Sequence, residues 1–360
     1  MTGSDIKRIA YYISAHGYGH AVRSVAVLAQ LTQNHHVHIK TEIPAEFFKL
    51  HLNSPFSLTK EKVDAGCAQK DSIQVDAEQS FRNLENFYRD AAACRRETLW
   101  LKENRIDLVV SDISSRPLKA AKEFGIPSVL IANFTWHDIY SHFPGADRQT
   151  ALIDMLREEY ACAHVQILPQ CHLQNDVIPV KQEVGFIAQK GADVRTRLEE
   201  ELSISLKDKI LIFIYLGESG KSEVNWKNLE TLEHCRFITR DPLLMEHGIP
   251  SNLTILNEKF LYRDLIASSD IVCTKAGYST LATAFVHDKP VITCSREHFF
   301  EFTAVRDFFN ANQIGEIIGN EPFYSGRWAD SIKKVREITV KDKVRLDGAT
   351  ETRCAIESFL

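Results

Sequence analysis

Residues 9–23 read Ile9-Ala10-Tyr11-Tyr12-Ile13-Ser14-Ala15-His16-Gly17-Tyr18-Gly19-His20-Ala21-Val22-Arg23. Ile9–Ser14 is an apolar run suited to a buried strand. Two glycines then allow a tight turn. A segment of helical period follows to about Leu31. A strand feeding a helix through a glycine loop is the opening move of an α/β unit. The helix start offers free amides and a positive dipole end, which suit an anion or a developing oxyanion.

The pattern repeats outward from there. His36–Lys40, Ile106–Val110, Ile126–Asn133 and Val165–Leu168 read as strands. Between them Ser80–Asn104 reads as one long helix, Pro117–Phe124 as a helix stopped by Gly125, and Leu152–Ala161 as another. The stretch Pro169–Val184 lacks periodicity, and a linker is set at 173–184. Alternation restarts with strand candidates Lys209–Leu216, Arg236–Thr239, Leu253–Leu256, Ile271–Thr274, Pro290–Cys294 and Ile314–Ile318. Helices are expected at 225–234, 261–268, 278–287 and 300–310. The fold expected is two Rossmann-like α/β domains facing across a cleft. Their bounds are 1–172 and 185–345, with a helix at 346–360 free to pack back on the first domain. Such sheets bind ligands at the carboxyl ends of their strands.

Composition agrees with a globular enzyme and closes off other classes. The 360 residues are 44% apolar and 25% charged, which excludes a disordered or fibrous chain. A net charge of −5 gives no basic field for nucleic acid. No apolar run approaches the ~20 residues of a membrane span. The eight cysteines form no CxxC, so neither a disulfide framework nor zinc is expected. The N-terminus lacks a signal-peptide pattern, and the expectation is a cytoplasmic protein. His35-His36-Val37-His38 resembles a metal cluster, but alternate residues of a strand point apart.

Candidate chemistry sits at strand-to-helix turns. His16 and His20 flank the first loop, and Arg23 lies one helical turn further on. An imidazole with an ordinary pKa near ~6.5 can take a proton at neutral pH. Asp112 ends the strand at Val109–Asp112 and could orient His20; a helix cap is the other reading. A dinucleotide fingerprint fails because the third glycine position is Val22. Trp136, in Asn133-Phe134-Thr135-Trp136-His137-Asp138, suits either a sugar platform or the core. In the second half, Gly217-Glu218-Ser219-Gly220 follows a buried strand. Lys275-Ala276-Gly277-Tyr278-Ser279-Thr280 puts amides, hydroxyls and a cation at a helix start, a seat for a diphosphate. No DxD supplies carboxylates for a metal, so no metal cofactor is expected.

These motifs together resemble GT-B glycosyltransferases. They are most similar to the N-terminal glycosyltransferase-like domain of plant L-arabinokinases, through Ala10-Tyr11-Tyr12, His16–Arg23, Asp107–Asp112, Asn133–Trp136, Asp138-Ile139-Tyr140, Asp264–Asp270, Lys275–Tyr278 and Thr280. The kinase half of those plant proteins has no counterpart, so arabinose phosphorylation is not implied. A more distant similarity is to bacterial lipid II transferases (MurG-like, family 28). It implies His20 as base. It implies donor contacts at Gly217, Ser219, Phe260, Leu261, Gly277, Ser279, Thr280 and Glu301, to which the loop readings add Gly17, Gly19, Arg23, Gly220 and Lys275. The glutamate that holds the ribose in that family falls at Thr283 here, which removes a two-hydroxyl acceptor. The function implied is metal-independent, inverting transfer of a sugar from a nucleoside diphosphate sugar, UDP-linked, to an unidentified acceptor hydroxyl. Membrane contact is implied only if that acceptor is a lipid. Gly17–Arg23 also resembles the loop of UDP-sugar hydrolases of pseudaminic acid synthesis, and a non-catalytic sugar-nucleotide sensor is a third reading. Sugar, acceptor and oligomeric state are left open.

Overall fold

A computed structural model of the protein describes residues 6–69, 74–217, 224–241, 248–296 and 299–360. The chain divides into two compact units. The first holds residues up to 68, 76–187 and 347–360; the second holds 188–346 with the short stretch 69–75.

The first unit opens with β1 (Arg8–Ile13), α1 (Gly19–Leu31), β2 (His36–Thr41), α2 (Ala45–His51) and β3 (Ser57–Lys60). The two-residue strands β4 (Ala68–Gln69) and β5 (Val75–Asp76) lie outside the main sheet. Then come α3 (Ala77–Tyr88), α4 (Ala93–Glu103), β6 (Leu108–Asp112), α5 (Arg116–Phe124), β7 (Ser128–Ile131), α6 (Trp136–Ser141), α7 (Thr150–Tyr160), β8 (Val165–Pro169) and β9 (Lys181–Val184). Seven strands form one sheet in the order β3-β2-β1-β6-β7-β8-β9, every pairing parallel. β1 is apolar throughout because both its faces are covered. Ile9, Tyr11 and Ile13 pack with Ala21, Val25 and Leu28 of α1. Ala10 and Tyr12 pack on the opposite side with Leu101, Ala120 and Ala121.

Three features of this unit differ from the sequence reading. The single helix expected over Ser80–Asn104 is two, α3 and α4. Asp90 accepts a hydrogen bond from the Ala92 N–H at 3.2 Å, a local bond that competes with helical pairing. Residues 181–184, expected in a linker, form β9 on the sheet edge, pairing Gln166–Pro169 with Lys181–Val184. Its sequence is Lys-Gln-Glu-Val, with only Val184 buried, so no apolar run announced it. The edge strand β3 was hidden for the same reason.

The second unit runs α8 (Arg195–Leu202), β10 (Ile210–Tyr215), β11 (Cys235–Thr239), β12 (Leu253–Ile255), α9 (Tyr262–Ser268), β13 (Ile271–Thr274), α10 (Tyr278–Val286), β14 (Val291–Cys294), α11 (Glu301–Asn312), β15 (Gly315–Ile318), α12 (Asn320–Tyr324) and α13 (Ala329–Val335). Its parallel sheet has the order β12-β11-β10-β13-β14-β15. The helix expected at 225–234 is a 3₁₀ segment, Trp226–Thr231. Trp226 anchors it edge-on to Trp328, ring centroids 5.5 Å apart.

The last helix, α14 (Gly348–Glu357), belongs to the first unit. Ala355 and Ile356 join the core beneath α1. Fully burying an isoleucine side chain is worth about 1.5–3 kcal/mol. The Gly185 N–H donates to Glu351 Oε2 at 2.7 Å. Gly348 lies so close to the 185–186 backbone that a Cβ there would sit 2.0 Å from the Gly185 carbonyl oxygen.

Candidate active site

The first strand-to-helix turn places His20 as the second residue of α1. Gly17 makes the turn at φ +69°, a conformation glycine adopts without strain. His20 is 8% exposed, and its Nδ1 lies 2.9 Å from Asp112 Oδ1. Asp112 is the last residue of β6 and fully buried. The same carboxylate accepts from Arg23 Nε at 2.9 Å and from Ser24 Oγ at 2.9 Å. Arg23 Nη2 also donates to its Oδ1.

Burial alone would push the Asp112 carboxyl up. The Arg23 guanidinium and then the His20 hydrogen bond outweigh that and hold it at about 2. An anionic Asp112 accepts only, so Nδ1 of His20 is the protonated nitrogen of the neutral ring. Arg23 Nη2 lies 3.3 Å from the same Nδ1. The carboxylate contact is shorter and of the right polarity, so it sets the tautomer. Nε2 is thereby left as the basic nitrogen.

Arg23, expected among the donor contacts, is held by buried side chains. It is 2% exposed, with Nη1 donating to Asn133 Oδ1 at 2.6 Å and the rest of the guanidinium on Asp112. It braces the Asp112 carboxylate. Gly17 and Gly19 are exposed on the loop.

His16 is held differently from His20. The Cys67 N–H donates to its Nδ1 at 3.4 Å, and Cys67 Sγ lies 3.3 Å from Nε2. A Cβ on Gly66 would press on the same ring at 3.2 Å. Both ring nitrogens of His16 therefore face the 66–67 loop. Trp136 packs against both histidines, its ring centroid 5.2 Å from His16 and 6.3 Å from His20. It is 2% exposed, and its indole N–H has no hydrogen-bond partner among the described residues. A capping box starts α6 and sets Trp136. The Thr135 N–H donates to Asp138 Oδ2 at 2.7 Å, and the Asp138 N–H donates back to Thr135 Oγ1 at 3.2 Å. Tyr140 OH ties the neighbouring loops together, donating to the Gly66 carbonyl at 2.6 Å.

In the second unit, Lys275 and Ala276 leave the carboxyl end of β13, and Gly277 is the N-cap of α10. Ala276 has φ +61°, unusual for a side-chain-bearing residue. Ser279 and Thr280 lie in the first turn, half-buried. Gly217 has φ +88°, and a Cβ there would come within 2.8 Å of Lys275 Nζ. The structure thus brings Gly217 to the Lys275–Thr280 turn. Ser219 and Gly220 lie outside the described residues.

Thr283 is buried, and its hydroxyl donates to the Ser279 carbonyl at 2.7 Å. Phe260 is buried under Arg197, whose guanidinium carbon is 4.5 Å from the ring centroid. Leu261 caps α9 and is half-buried. Glu301 begins α11 and is buried.

The sequence reading missed a neighbouring group. Tyr215 and Tyr262 pack edge-on at 4.8 Å, with Arg240 4.3 Å over Tyr262. The only sequence signal was an aromatic at a strand end and another at a helix start.

Among the described residues no group of three or more His, Cys, Asp or Glu side chains could hold a metal ion. His38 Nε2 lies 2.7 Å from Thr59 Oγ1. Among them too, no helix is long and apolar enough to cross a membrane.

Comparison with known proteins places this arrangement in a class. The family described as Glycosyl transferase family 1 matches residues 7–325, and the chain belongs to that family. Its fold is GT-B, the fold of solved glycosyltransferases. A curated relative, L-arabinokinase of Arabidopsis thaliana, is 29% identical over 338 residues, which cover 90% of this chain and 32% of that protein. The chain therefore spans about a third of the length of that relative.

Solved structures of the same fold include the calicheamicin glycosyltransferase CalG4, at TM-score 0.62 and 12% identity over 99% of both chains. UGT89C1 of Arabidopsis thaliana in complex with quercetin has TM-score 0.65 and 13% identity, covering 98% of this chain and 94% of that one. UGT2 of Phytolacca americana, complexed with UDP-2-fluoro-glucose and pterostilbene, has TM-score 0.63 and 14% identity over 98% and 94%.

Proposed function

We propose that this chain transfers a sugar from a UDP-linked donor to an acceptor hydroxyl, inverting the anomeric carbon and using no metal. His20 Nε2 takes the acceptor proton, the acceptor oxygen attacks the anomeric carbon, and the nucleoside diphosphate leaves. The observation that carries this reading is the 2.9 Å contact between His20 Nδ1 and Asp112. It fixes the tautomer a general base requires and stabilises the imidazolium that forms.

On the donor side, the amides at the start of α10 and the Lys275 ammonium suit the charge of a departing diphosphate. A UDP donor is supported by the UDP-sugar complex of the Phytolacca americana enzyme, which has the same fold. Residues Gly217, Gly277, Ser279 and Thr280 are assigned to the diphosphate, and Phe260, Leu261 and Glu301 to the rest of the donor. Gly17 and Gly19 are assigned to the donor as well, and Trp136 to a sugar ring.

The test begins with a thermal-shift screen of UDP, GDP, TDP, ADP and NAD(H). Ligand at a hundred times Kd raises stability by about 2.7 kcal/mol. A shift with UDP is expected, and a shift with NAD(H) alone overturns the reading. Turnover of UDP-sugars is then followed with and without EDTA and in His20→Ala. Transfer that survives EDTA and is lost in His20→Ala is expected. Release of free sugar at the full rate without acceptor makes the protein a hydrolase instead.

A further inference from the structure

The residue after Asp112 is strained. Ile113 has φ 139° and is fully buried. That conformation is rare for any side-chain-bearing residue and more so for a β-branched one. Such a residue persists only where its surroundings over-determine it, and such residues cluster at functional sites.

The restraint comes from the C-terminal end of α7. Tyr160 OH donates to the Ile113 carbonyl at 2.7 Å. The same oxygen accepts from the Trp136 N–H at 3.0 Å. One buried hydroxyl thus joins the loop after β6 to the loop after β7. Burial pushes the Tyr160 phenol well up, so it remains a donor at any working pH. The preceding residue adds a second grip: Glu159 accepts from Ser115 Oγ at 2.6 Å and from Tyr88 OH at 2.7 Å. Within the loop, Ser111 Oγ donates to the Ser114 carbonyl at 2.6 Å.

Both loops that Tyr160 joins meet His20. One begins at Asp112, which holds Nδ1. The other carries Trp136, whose ring lies beside His20 and His16. We infer that Tyr160 is a positioning residue for the His20–Asp112 pair, its hydroxyl holding the strained Ile113 peptide and the Trp136 backbone at one fixed spacing. The inference rests on the reading of His20 as base only for its effect on rate. Its effect on the geometry of His20 stands independently.

The experiment is NMR of ¹⁵N-histidine-labelled protein, with the His20 signals assigned by their loss in His20→Gln. Tyr160→Phe keeps the ring and removes only the hydroxyl. The His20 Nδ1–H signal is expected to shift or broaden. The kcat for UDP-sugar turnover is expected to fall about tenfold or more, with the Kd for UDP within twofold. Tyr88→Phe removes a hydroxyl from Glu159 without touching Ile113 or Trp136, and leaves the His20 signals unmoved. If Tyr160→Phe does not fold, Ser115→Ala loosens the same loop and is expected to shift the same signal, and a folded Ser115→Ala with unmoved His20 signals then overturns the inference. A folded Tyr160→Phe with unchanged His20 signals overturns the inference, as does an equal shift in Tyr88→Phe. Absence of turnover in the wild type sinks the functional reading but leaves the NMR test of Tyr160 intact.

Discussion

Replacing Arg23 by methionine removes the cation that keeps Asp112 ionised, and the sign of the pH response follows. In the wild type the carboxyl is lowered from 3.8 to about 2, which corresponds to about 2 kcal/mol at 1.36 kcal/mol per unit. A lowered folded pKa stabilises fully above the unfolded value. That contribution is lost as pH falls from about 4 through 2. Between pH 5 and 7 it is flat.

Without Arg23, Asp112 retains its burial and loses its chief counter-charge. Leaving such a charge unpaired costs about 3–5 kcal/mol, unless the carboxyl takes up a proton. Its folded pKa then exceeds the unfolded one, and the variant becomes more stable as pH drops from 7 to 5. Arg23→Met should therefore lose about 3 kcal/mol or more at pH 7 and regain part of it at pH 5. The assay is hydrogen exchange by mass spectrometry on peptides covering β1 and β6, read at both pH values with the intrinsic rate corrected. It reports the first unit alone, which a whole-chain melt would not. Loss of less than about 1 kcal/mol at pH 7, or protection that does not rise toward pH 5, would refute the reasoning.

Other variants probe separate features. Gly217→Ala combines φ +88° with a Cβ 2.8 Å from Lys275 Nζ; it should displace the lysine and reduce the thermal shift given by UDP. In the first unit Lys40 is buried on Glu97, its Nζ 2.8 and 2.6 Å from the carboxylate oxygens, with Tyr12 OH also donating to Glu97. Glu97→Ala should cost about 3–5 kcal/mol, whereas Lys40→Met with Glu97→Met should recover most of it in denaturant unfolding. Gly348→Ala forces a Cβ to 2.0 Å from a backbone oxygen; limited proteolysis should then cut 347–360 at enzyme concentrations the wild type resists.

The legible parts of this chain were those where chemistry and periodicity coincide. Pro117 and Gly125 marked the ends of α5, and Gly125 indeed takes φ +84° and donates to the Ala121 carbonyl at 2.9 Å. His20 and Asp112 could be paired because both fall at the carboxyl ends of neighbouring parallel strands, β1 and β6. β9 was illegible because an edge strand needs no apolar run.

The burial of Arg23 was not legible, because it depends on Asp112 and Asn133, 89 and 110 residues away. Tyr160 was invisible for a deeper reason. Its role follows from the backbone conformation of Ile113, and nothing in the identity of an isoleucine signals a positive φ.

The return of α14 to the first unit bears on synthesis. Residues 188–346 all leave the ribosome before the helix that covers α1 exists. Until then the face of α1 that meets Ala355 and Ile356 has no cover. The nascent first unit therefore carries an apolar stripe through the whole time the second is being made. A sticky surface of that kind invites a chaperone or self-association. A chain truncated at residue 346 would hold that immature state permanently.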